Sequence, residues 1–244
     1  PGDITPNGPN NNLTIPAFGG YDFQRYDGKI DHQFSVNHKV FGRYSLVRHR
    51  NQDRPVRQLR QEVETLLGNV YVQPIDQQNI VVSDSYTFSP TMINEVRLGF
   101  NRRLFQATPE TFGQDWAAKL GIPGVSADTF PDFLSSGGAR FYGMGPGGRS
   151  QEVAEDFTFQ ENLTKVFSRH TVKMVYELMR TRYNALAETY PSGRYRMWGT
   201  DFPVRPNTGN DFAALLLGSV VRADYTFNAA TWLPRWWHHA WYVQ

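Results

Sequence analysis

Apolar and polar side chains alternate along residues 26–46 in two runs, separated by a polar break at residues 35–39. In these two runs the even-numbered positions, which we call the apolar parity of each strand, are mostly apolar: Tyr26, Gly28, Ile30, His32, Phe34, Val40, Gly42, Tyr44 and Leu46. The other parity carries most of the charges. Alternation with period two is typical of strands with one apolar and one polar face. The pattern predicts an antiparallel hairpin in which Phe34 pairs with Val40 and Asp31 lies opposite Arg43.

A second hairpin is predicted around a turn at residues 89–93. Its apolar positions are Ile80, Val82, Tyr86, Phe88, Val96, Leu98 and Phe100. Keeping the two apolar faces together pairs Phe88 with Asn94 and places Ser85 opposite Arg97. A third hairpin reverses at residues 165–169, with apolar positions at Phe157, Phe159, Leu163, Val172, Met174, Tyr176 and Leu178.

Long segments separate these hairpins. Residues 1–20, 51–79 and 105–150 lack a sustained period and are predicted as loops, with a short helix at 58–67. After residue 184 we expect another loop, a strand at 194–202, a short helix at 209–219 and a final strand from 236 to 244. Short turns therefore alternate with long loops three times, as they do in outer-membrane barrels.

The environment of the apolar faces decides the class of protein. In a bilayer an apolar face contacts lipid while the polar face lines an aqueous lumen. In water the apolar face needs a second layer, as in a secreted β-sandwich module whose loops bind glycan or protein. A third alternative is a surface structural or assembly protein that pairs through open strand edges.

Composition narrows these classes only a little. The 244 residues include 25 Lys and Arg against 23 Asp and Glu, so the charge balance does not point to nucleic acid. The absence of cysteine excludes disulfides, cysteine-ligated zinc and thiol catalysis. No apolar run reaches the roughly 18 residues that a membrane helix requires. The strands of a membrane barrel alternate apolar and polar residues, so a search for long apolar runs does not detect them.

Four strings in the chain carry a family resemblance. They are KIDHQFSVNHKVFGRYS (29–45), YTFSPTMINEVRLGFNR (86–102), FQENLTKVFSRHTVKM (159–174) and GNDFAALLLGS (209–219). In order and spacing they resemble strings of TonB-dependent outer-membrane receptors, in particular the Oar-like branch. Ser168 and Met174 depart from the family pattern. LGIPGV (120–125) and FPDF (130–133) are also similar to strings found between these strands in that branch.

The resemblance implies an all-β fold, an antiparallel up-and-down transmembrane β-barrel segment with long extracellular loops. It implies that residues 1–244 supply seven or eight strands of one barrel domain of about 22 strands. It further implies that the plug domain, the TonB box and the remaining strands lie outside residues 1–244. The implied function is energised uptake of a scarce solute, a peptide or a glycan across the bacterial outer membrane. The implied partners are outer-membrane lipid and, through a plug, the inner-membrane TonB complex.

The candidate lumen-lining residues are charged residues at the polar positions of the three predicted hairpins. They are Asp27, Lys29, Asp31, Arg43, Glu95, Arg97, Lys173 and Glu177. Such residues would form a polar wall along a transport path. The alternative is that their charges only keep the lumen hydrated and the strand register fixed.

Several charged or polar residues interrupt the apolar parity, namely His32, Asp84, Glu161 and Arg180. A charge at the bilayer midplane is costly, so we expect Asp84 and Arg180 to lie outside the hydrocarbon band. The frequent aromatic residues fit either girdles at the lipid boundary or a sandwich core.

The sequence gives little support for catalysis. HExxH and GxSxG motifs are absent, and the glycine-rich segment 143–148 contains a proline and does not follow a predicted strand. His238 and His239 form a weak candidate metal pair, with an interfacial position as the alternative. We therefore expect no enzyme activity, no cofactor and no metal.

Overall fold

The computed structural model describes residues 20–52, 71–125, 129–135, 144–145, 148–197, 211–227 and 230–244. Its strands are β1 (Gly20–Ser35), β2 (His38–Gln52), β3 (Tyr71–Ser89), β4 (Met92–Pro109), β5 (Asp132–Ser135), β6 (Gly148–Phe167), β7 (His170–Thr189), β8 (Arg194–Met197), β9 (Arg222–Asp224), β10 (Ala230–Trp232) and β11 (Arg235–Val243). Its short helices are α1 (Trp116–Lys119) and α2 (Asp211–Leu216). The described residues contain no helix long and apolar enough to cross a membrane.

Most strands form one antiparallel meander in the order β1-β2-β3-β4-β6-β7, and β10 and β11 both pair with β7. Because β10 and β11 occupy the same position beside β7, the sheet is seven strands wide. This confirms the predicted antiparallel, up-and-down sheet of seven or eight strands. The sheet does not close on itself within the described residues.

The strands are longer than the alternation predicts. β3 begins at Tyr71, inside the segment predicted as a loop, and β4 continues to Pro109. β7 continues to Thr189, five residues beyond the predicted strand end. The polar stretches at these strand ends hide the alternation, so sequence pattern alone missed them. Residues 1–19 of the loop predicted at 1–20, and the helix predicted at 58–67, lie outside the described residues, and Gly20 begins β1.

The first hairpin is tighter than predicted. β1 and β2 are joined by a two-residue turn at Val36 and Asn37, and the register shifts beside Phe34. His32 therefore pairs with Val40, where Phe34 was expected. The predicted pairing of Asp31 with Arg43 is wrong for the same reason, because every partner moves by two residues.

The second hairpin departs from its predicted register in the same way. Its two-residue turn is Pro90 and Thr91, and a register shift lies beside Phe88. Consequently Ser85 pairs with Glu95, and the predicted pair of Ser85 and Arg97 is wrong. A shift of two residues preserves the parity of every position, so both predicted faces survive the correction.

The third hairpin keeps its predicted faces. Its turn consists of Ser168 and Arg169, narrower than the predicted reversal at 165–169, and Ser168 adopts a positive φ of 46°. Leu163 pairs with Met174, and Phe159 pairs with Leu178. All three two-residue turns lie at one end of the sheet, which we call the turn end. The opposite end, where the long connections lie, is the loop end.

Successive pairings assemble one continuous apolar face across the sheet. One row of directly opposed residues runs Ile30, Gly42, Val82, Leu98, Phe159 and Leu178, and the next runs Gly28, Tyr44, Ile80, Phe100 and Phe157. On this apolar face Ile30 is 76% exposed and Leu98 is 52% exposed. The described residues provide no second layer over it. A soluble sandwich would bury such a face, so this arrangement argues against that alternative.

The opposite, polar face is the more sheltered side of the sheet. Ser83, Val175 and Thr181 all point to this side and are buried. A sheet whose polar positions are buried while its large apolar positions are exposed is inverted relative to a soluble domain.

A small three-stranded sheet, β5-β8-β9, forms at the loop end. Aromatic rings pack beside it, with Phe130 5.3 Å from Trp116 and 5.9 Å from Phe133 between ring centroids. We call the residues of this region (109–125, 129–135, 190–197 and 211–224) the loop unit. The predicted strand at 194–202 appears as β8, and its last residues are outside the described part of the chain. The predicted short helix and the final strand appear as α2 and β11.

Candidate functional site

All eight candidate lumen residues lie on the polar face. They are distributed over β1, β2, β4 and β7, with Asp27, Lys29 and Asp31 on β1, Arg43 on β2, Glu95 and Arg97 on β4, and Lys173 and Glu177 on β7. Their common face follows from parity and from the pairings that join successive strands. The structure therefore brings them to one surface, although not into one cluster.

The carboxylates of β1 are neutralised mainly along their own strand. Asp27 accepts a hydrogen bond of 2.6 Å from the Arg25 Nε and another of 2.6 Å from the Ser45 hydroxyl. Asp31 lies 2.8 Å from the Lys29 ammonium. Residues two apart on a strand share a face, which explains these pairs. They are exposed, so each contributes little to stability.

The cross-strand partner of Arg43 differs from the predicted carboxylate. Lys29 lies directly opposite Arg43, which places two positive charges side by side. The Arg43 Nη2 instead donates to the Asn79 Oδ1 at 3.2 Å. An amide can accept from a guanidinium without adding charge, so Asn79 serves as the neutral partner at this position.

Glu95 organises the polar face of β4. It accepts a hydrogen bond of 2.5 Å from the Arg97 Nη2 and one of 3.0 Å from the Ser83 hydroxyl. Ser83 is buried, so its hydroxyl needs this acceptor. In contrast, Lys173 and Glu177 have no ion pair among the described residues. Glu177 lies opposite Gln160 and Ala240.

A belt of amides and hydroxyls crosses the polar face one level nearer the loop end. The Asn79 Nδ2 donates to the Asn101 Oδ1 at 2.5 Å, and the Thr181 hydroxyl donates to Asp156 at 2.6 Å. A groove of about 340 Å³ opens beside Asn79, Asn101 and Asp156. Sequence reasoning missed Asn79, Asp156 and Thr181 as a set, because only the strand pairing places them in one row.

The apolar face carries Asp84 and Arg180, as the parity of their positions predicted. Asp84 lies in the row of Val40 and Val96, and its carboxylate is 2.9 Å from the His38 Nε2. Arg180 lies in the row of Phe157, with its guanidinium 5.0 Å from the ring centroid of Trp237. Both side chains therefore lie on the apolar face, Asp84 in a hydrogen bond with a histidine and Arg180 in a cation–π contact with an indole ring.

The loop unit contains a buried ion pair outside the large sheet. The Asp132 side chain is 6% exposed and lies 2.5 Å from the Arg194 Nε. Burial raises the pKa of Asp132, and the Arg194 guanidinium counteracts part of that rise. Arg194 also lies over the Tyr190 ring, 3.4 Å from its centroid. Gly145 packs so closely that a Cβ there would lie 2.4 Å from the Asp132 Cα.

The histidine pair does not form a metal site. His238 and His239 are adjacent on β11, so their side chains point to opposite faces of the sheet. His239 instead lies 3.0 Å from the Tyr176 hydroxyl through its Nδ1. Groups of three or more metal-ligating side chains are absent from the described residues.

Comparison with known proteins identifies a family over nearly the whole chain. The model of a family described as an outer membrane beta barrel domain matches residues 2–244. No curated protein matches the chain, and no solved structure matches it.

Proposed function

The chain belongs to the outer membrane beta barrel domain family, and from this premise we propose that it forms part of the wall of a TonB-dependent receptor. Membership of the family places the chain in the bacterial outer membrane. In this proposal its apolar face contacts lipid and its polar face looks into the barrel. The receptor imports a scarce solute, a peptide or a glycan, with energy from the inner-membrane TonB complex.

One structural observation carries the barrel part of this proposal. The three two-residue turns all lie at one end of a sheet whose apolar face is uncovered, and the long connections lie at the other end. In bacterial outer-membrane barrels the short turns are periplasmic and the long loops extracellular. The turn end is therefore assigned to the periplasm, and the loop unit to the cell exterior.

The open sheet supports a barrel larger than the seven described strand positions. An unpaired strand edge in lipid leaves backbone N–H and C=O groups without partners, at several kcal/mol each. In this proposal further strands pair with β1 and with β10 and β11, giving a barrel of about 22 strands with a plug in its lumen.

Support for the TonB-dependent class comes from the sequence strings and their places in the fold. Three of the strings that resemble the family span the three hairpins, each with a two-residue turn near its centre. The fourth contains α2 in the loop unit. The polar face supports solute passage, because mixed charges and amides hydrate a wall without attracting one sign of charge. We assign no catalysis and no cofactor to it.

The test uses the full-length protein in an outer membrane with and without a functional TonB protein. We expect the medium to lose one or more solutes only when both the receptor and TonB are present. The purified receptor should also bind the soluble carboxy-terminal domain of TonB. Outer-membrane localisation without any interaction with TonB would reject the proposed energised uptake and leave the barrel assignment intact.

A further inference from the structure

The apolar face carries a groove of about 480 Å³ towards the loop end. Its apolar walls are Leu98, Phe157, Phe159, Leu178 and Trp237, which come from β4, β6, β7 and β11. Leu98 and Trp237 are each more than half exposed. These residues point away from the barrel lumen, so the groove opens towards lipid.

Arginines border this groove on the side nearer the cell exterior. Arg180 and Arg182 line it, and Arg102 and Arg235 lie in the same row as Arg182. The acidic residue of that row is Glu155, between Arg102 and Arg182. Four arginines and one glutamate leave this outer arginine cluster with a net charge of +3.

The ion pairs within the cluster do not neutralise it. Glu155 lies 3.3 Å from the Arg102 Nε and 3.6 Å from the Arg182 Nη1, so one carboxylate serves two guanidiniums. Among the described residues Arg180 has no carboxylate partner, and its guanidinium instead lies over the Trp237 ring. That ring holds the guanidinium beside the groove while leaving its N–H groups available.

The depth of the cluster can be estimated from two cationic rows of the apolar face, between which Asp84 and Glu161 lie in the row of Tyr176. Lys165 stands opposite Val172 near the turn end, and Arg182 follows Val172 by ten residues on β7. At about 3.3 Å per residue and a strand tilt near 40°, this separation spans about 25 Å of height. That is the height of the lipid-facing band of such barrels, so Arg182 lies at its outer boundary and Arg180 about 5 Å inside it.

We propose that this groove binds an anionic lipid of the outer leaflet. An acyl chain lies against Leu98, Phe159 and Leu178, and the headgroup phosphate is held between Arg180 and Arg182. The forked guanidinium matches phosphate oxygens through paired hydrogen bonds. The phosphate supplies the negative charge that the cluster lacks, and a long arginine side chain can reach it from just inside the band. The inference rests on the position of the chain in the membrane and is independent of TonB-dependent uptake.

The test measures lipid retention by the full-length protein in neutral detergent, using native mass spectrometry. The probes are phosphatidylglycerol and phosphatidylcholine with identical acyl chains, and inorganic phosphate as a competitor. The variant is the double substitution Arg180→Gln and Arg182→Gln. The matched control is Arg103→Gln, which removes a guanidinium from the polar face of β4, next to Arg102.

We expect the wild type to retain phosphatidylglycerol in preference to phosphatidylcholine. The double variant should lose about 30-fold in affinity, since each basic residue near an anionic lipid surface contributes about fivefold. Arg103→Gln should bind like the wild type. Equal retention of the two lipids, an equal loss in Arg103→Gln, or full displacement by inorganic phosphate alone would each overturn the proposal.

A charge-retaining variant covers the case in which the double variant does not fold. Arg180→Lys with Arg182→Lys keeps both charges but lacks the guanidinium fork. It should keep the preference for phosphatidylglycerol with a smaller loss of affinity. If this folded variant loses the preference entirely, as judged with a heat-modifiable gel shift for folding, charge pairing with the headgroup is refuted.

Discussion

The Arg194 Nε donates a hydrogen bond of 2.5 Å to the Asp132 carboxylate, joining two loop segments 62 residues apart in sequence. The backbone supports the same junction, because the Asp132 amide donates to the Gly193 carbonyl at 2.9 Å. The pair fastens β5 to β8 at the exterior end of the barrel. It therefore couples the loop between β4 and β6 to the loop after β7.

Removing the cationic partner of Asp132 should loosen the loop unit. Arg194→Gln leaves the buried Asp132 carboxylate without its hydrogen-bonded cation, and we expect a cost of about 3 kcal/mol in local opening free energy at neutral pH. Hydrogen exchange of the backbone amides at positions 132 and 133 measures it. The control is Asp224→Asn, whose partners Arg196 and Arg222 are more exposed, with an expected cost below about 1 kcal/mol. Similar protection in the two variants would contradict this prediction.

The same carboxyl should make the loop unit more stable in acid. Because burial raises the folded pKa of Asp132, the unfolded chain releases this proton at a lower pH than the folded chain. The contribution to stability is therefore complete below the unfolded pKa and is lost as pH rises through the folded pKa. We expect slower local opening near pH 4 than at pH 7, after correction for intrinsic exchange rates.

Asp132→Asn should abolish that part of the pH dependence, because the amide does not titrate. A wild-type loop unit that instead loosens on acidification would show that the ion pair with Arg194 outweighs the desolvation of the carboxyl.

The register of the first hairpin can be tested by disulfide trapping, since the chain has no native cysteine. His32 and Val40 are directly opposed, and opposed Cα atoms are about 4.5–5.5 Å apart, within disulfide range. His32→Cys with Val40→Cys should oxidise readily. Phe34→Cys with Val40→Cys, the pairing expected from alternation alone, should oxidise more slowly. The oxidation rates are measured by mass spectrometry. Faster oxidation of the pair at 34 and 40 than of the pair at 32 and 40 would support the register predicted from alternation alone.

A charge on the apolar face should destabilise the protein far more than one on the polar face. Leu98→Arg places a guanidinium near the middle of the lipid-facing band, at a cost of about 2–4 kcal/mol. Gln160→Arg places it on the polar face, opposite Glu177, and should change stability by less than about 1 kcal/mol. Guanidinium unfolding of the full-length protein in lipid bilayers gives both values. Equal costs would mean that Leu98 does not face lipid.

The faces of the large sheet could be predicted because side chains alternate with period two. Any register error of two residues leaves Asp31 and Arg43 on the polar face, and Ile30 and Tyr44 on the apolar face. Turn positions were predictable to within a few residues, since each lies where alternation breaks. This is why all eight candidate lumen residues were assigned to one surface from sequence.

Tertiary structure alone decided which residues on that surface are neighbours. The register shifts beside Phe34 and Phe88 moved Lys29 opposite Arg43 and Ser83 next to Glu95. These shifts depend on turn geometry, which cannot be read from the alternation of apolar and polar residues. The pairing of Asp132 with Arg194 and the row that unites Arg102, Arg182 and Arg235 were equally invisible in sequence. Such groups come from segments far apart along the chain, and only strand pairing and loop packing bring them together.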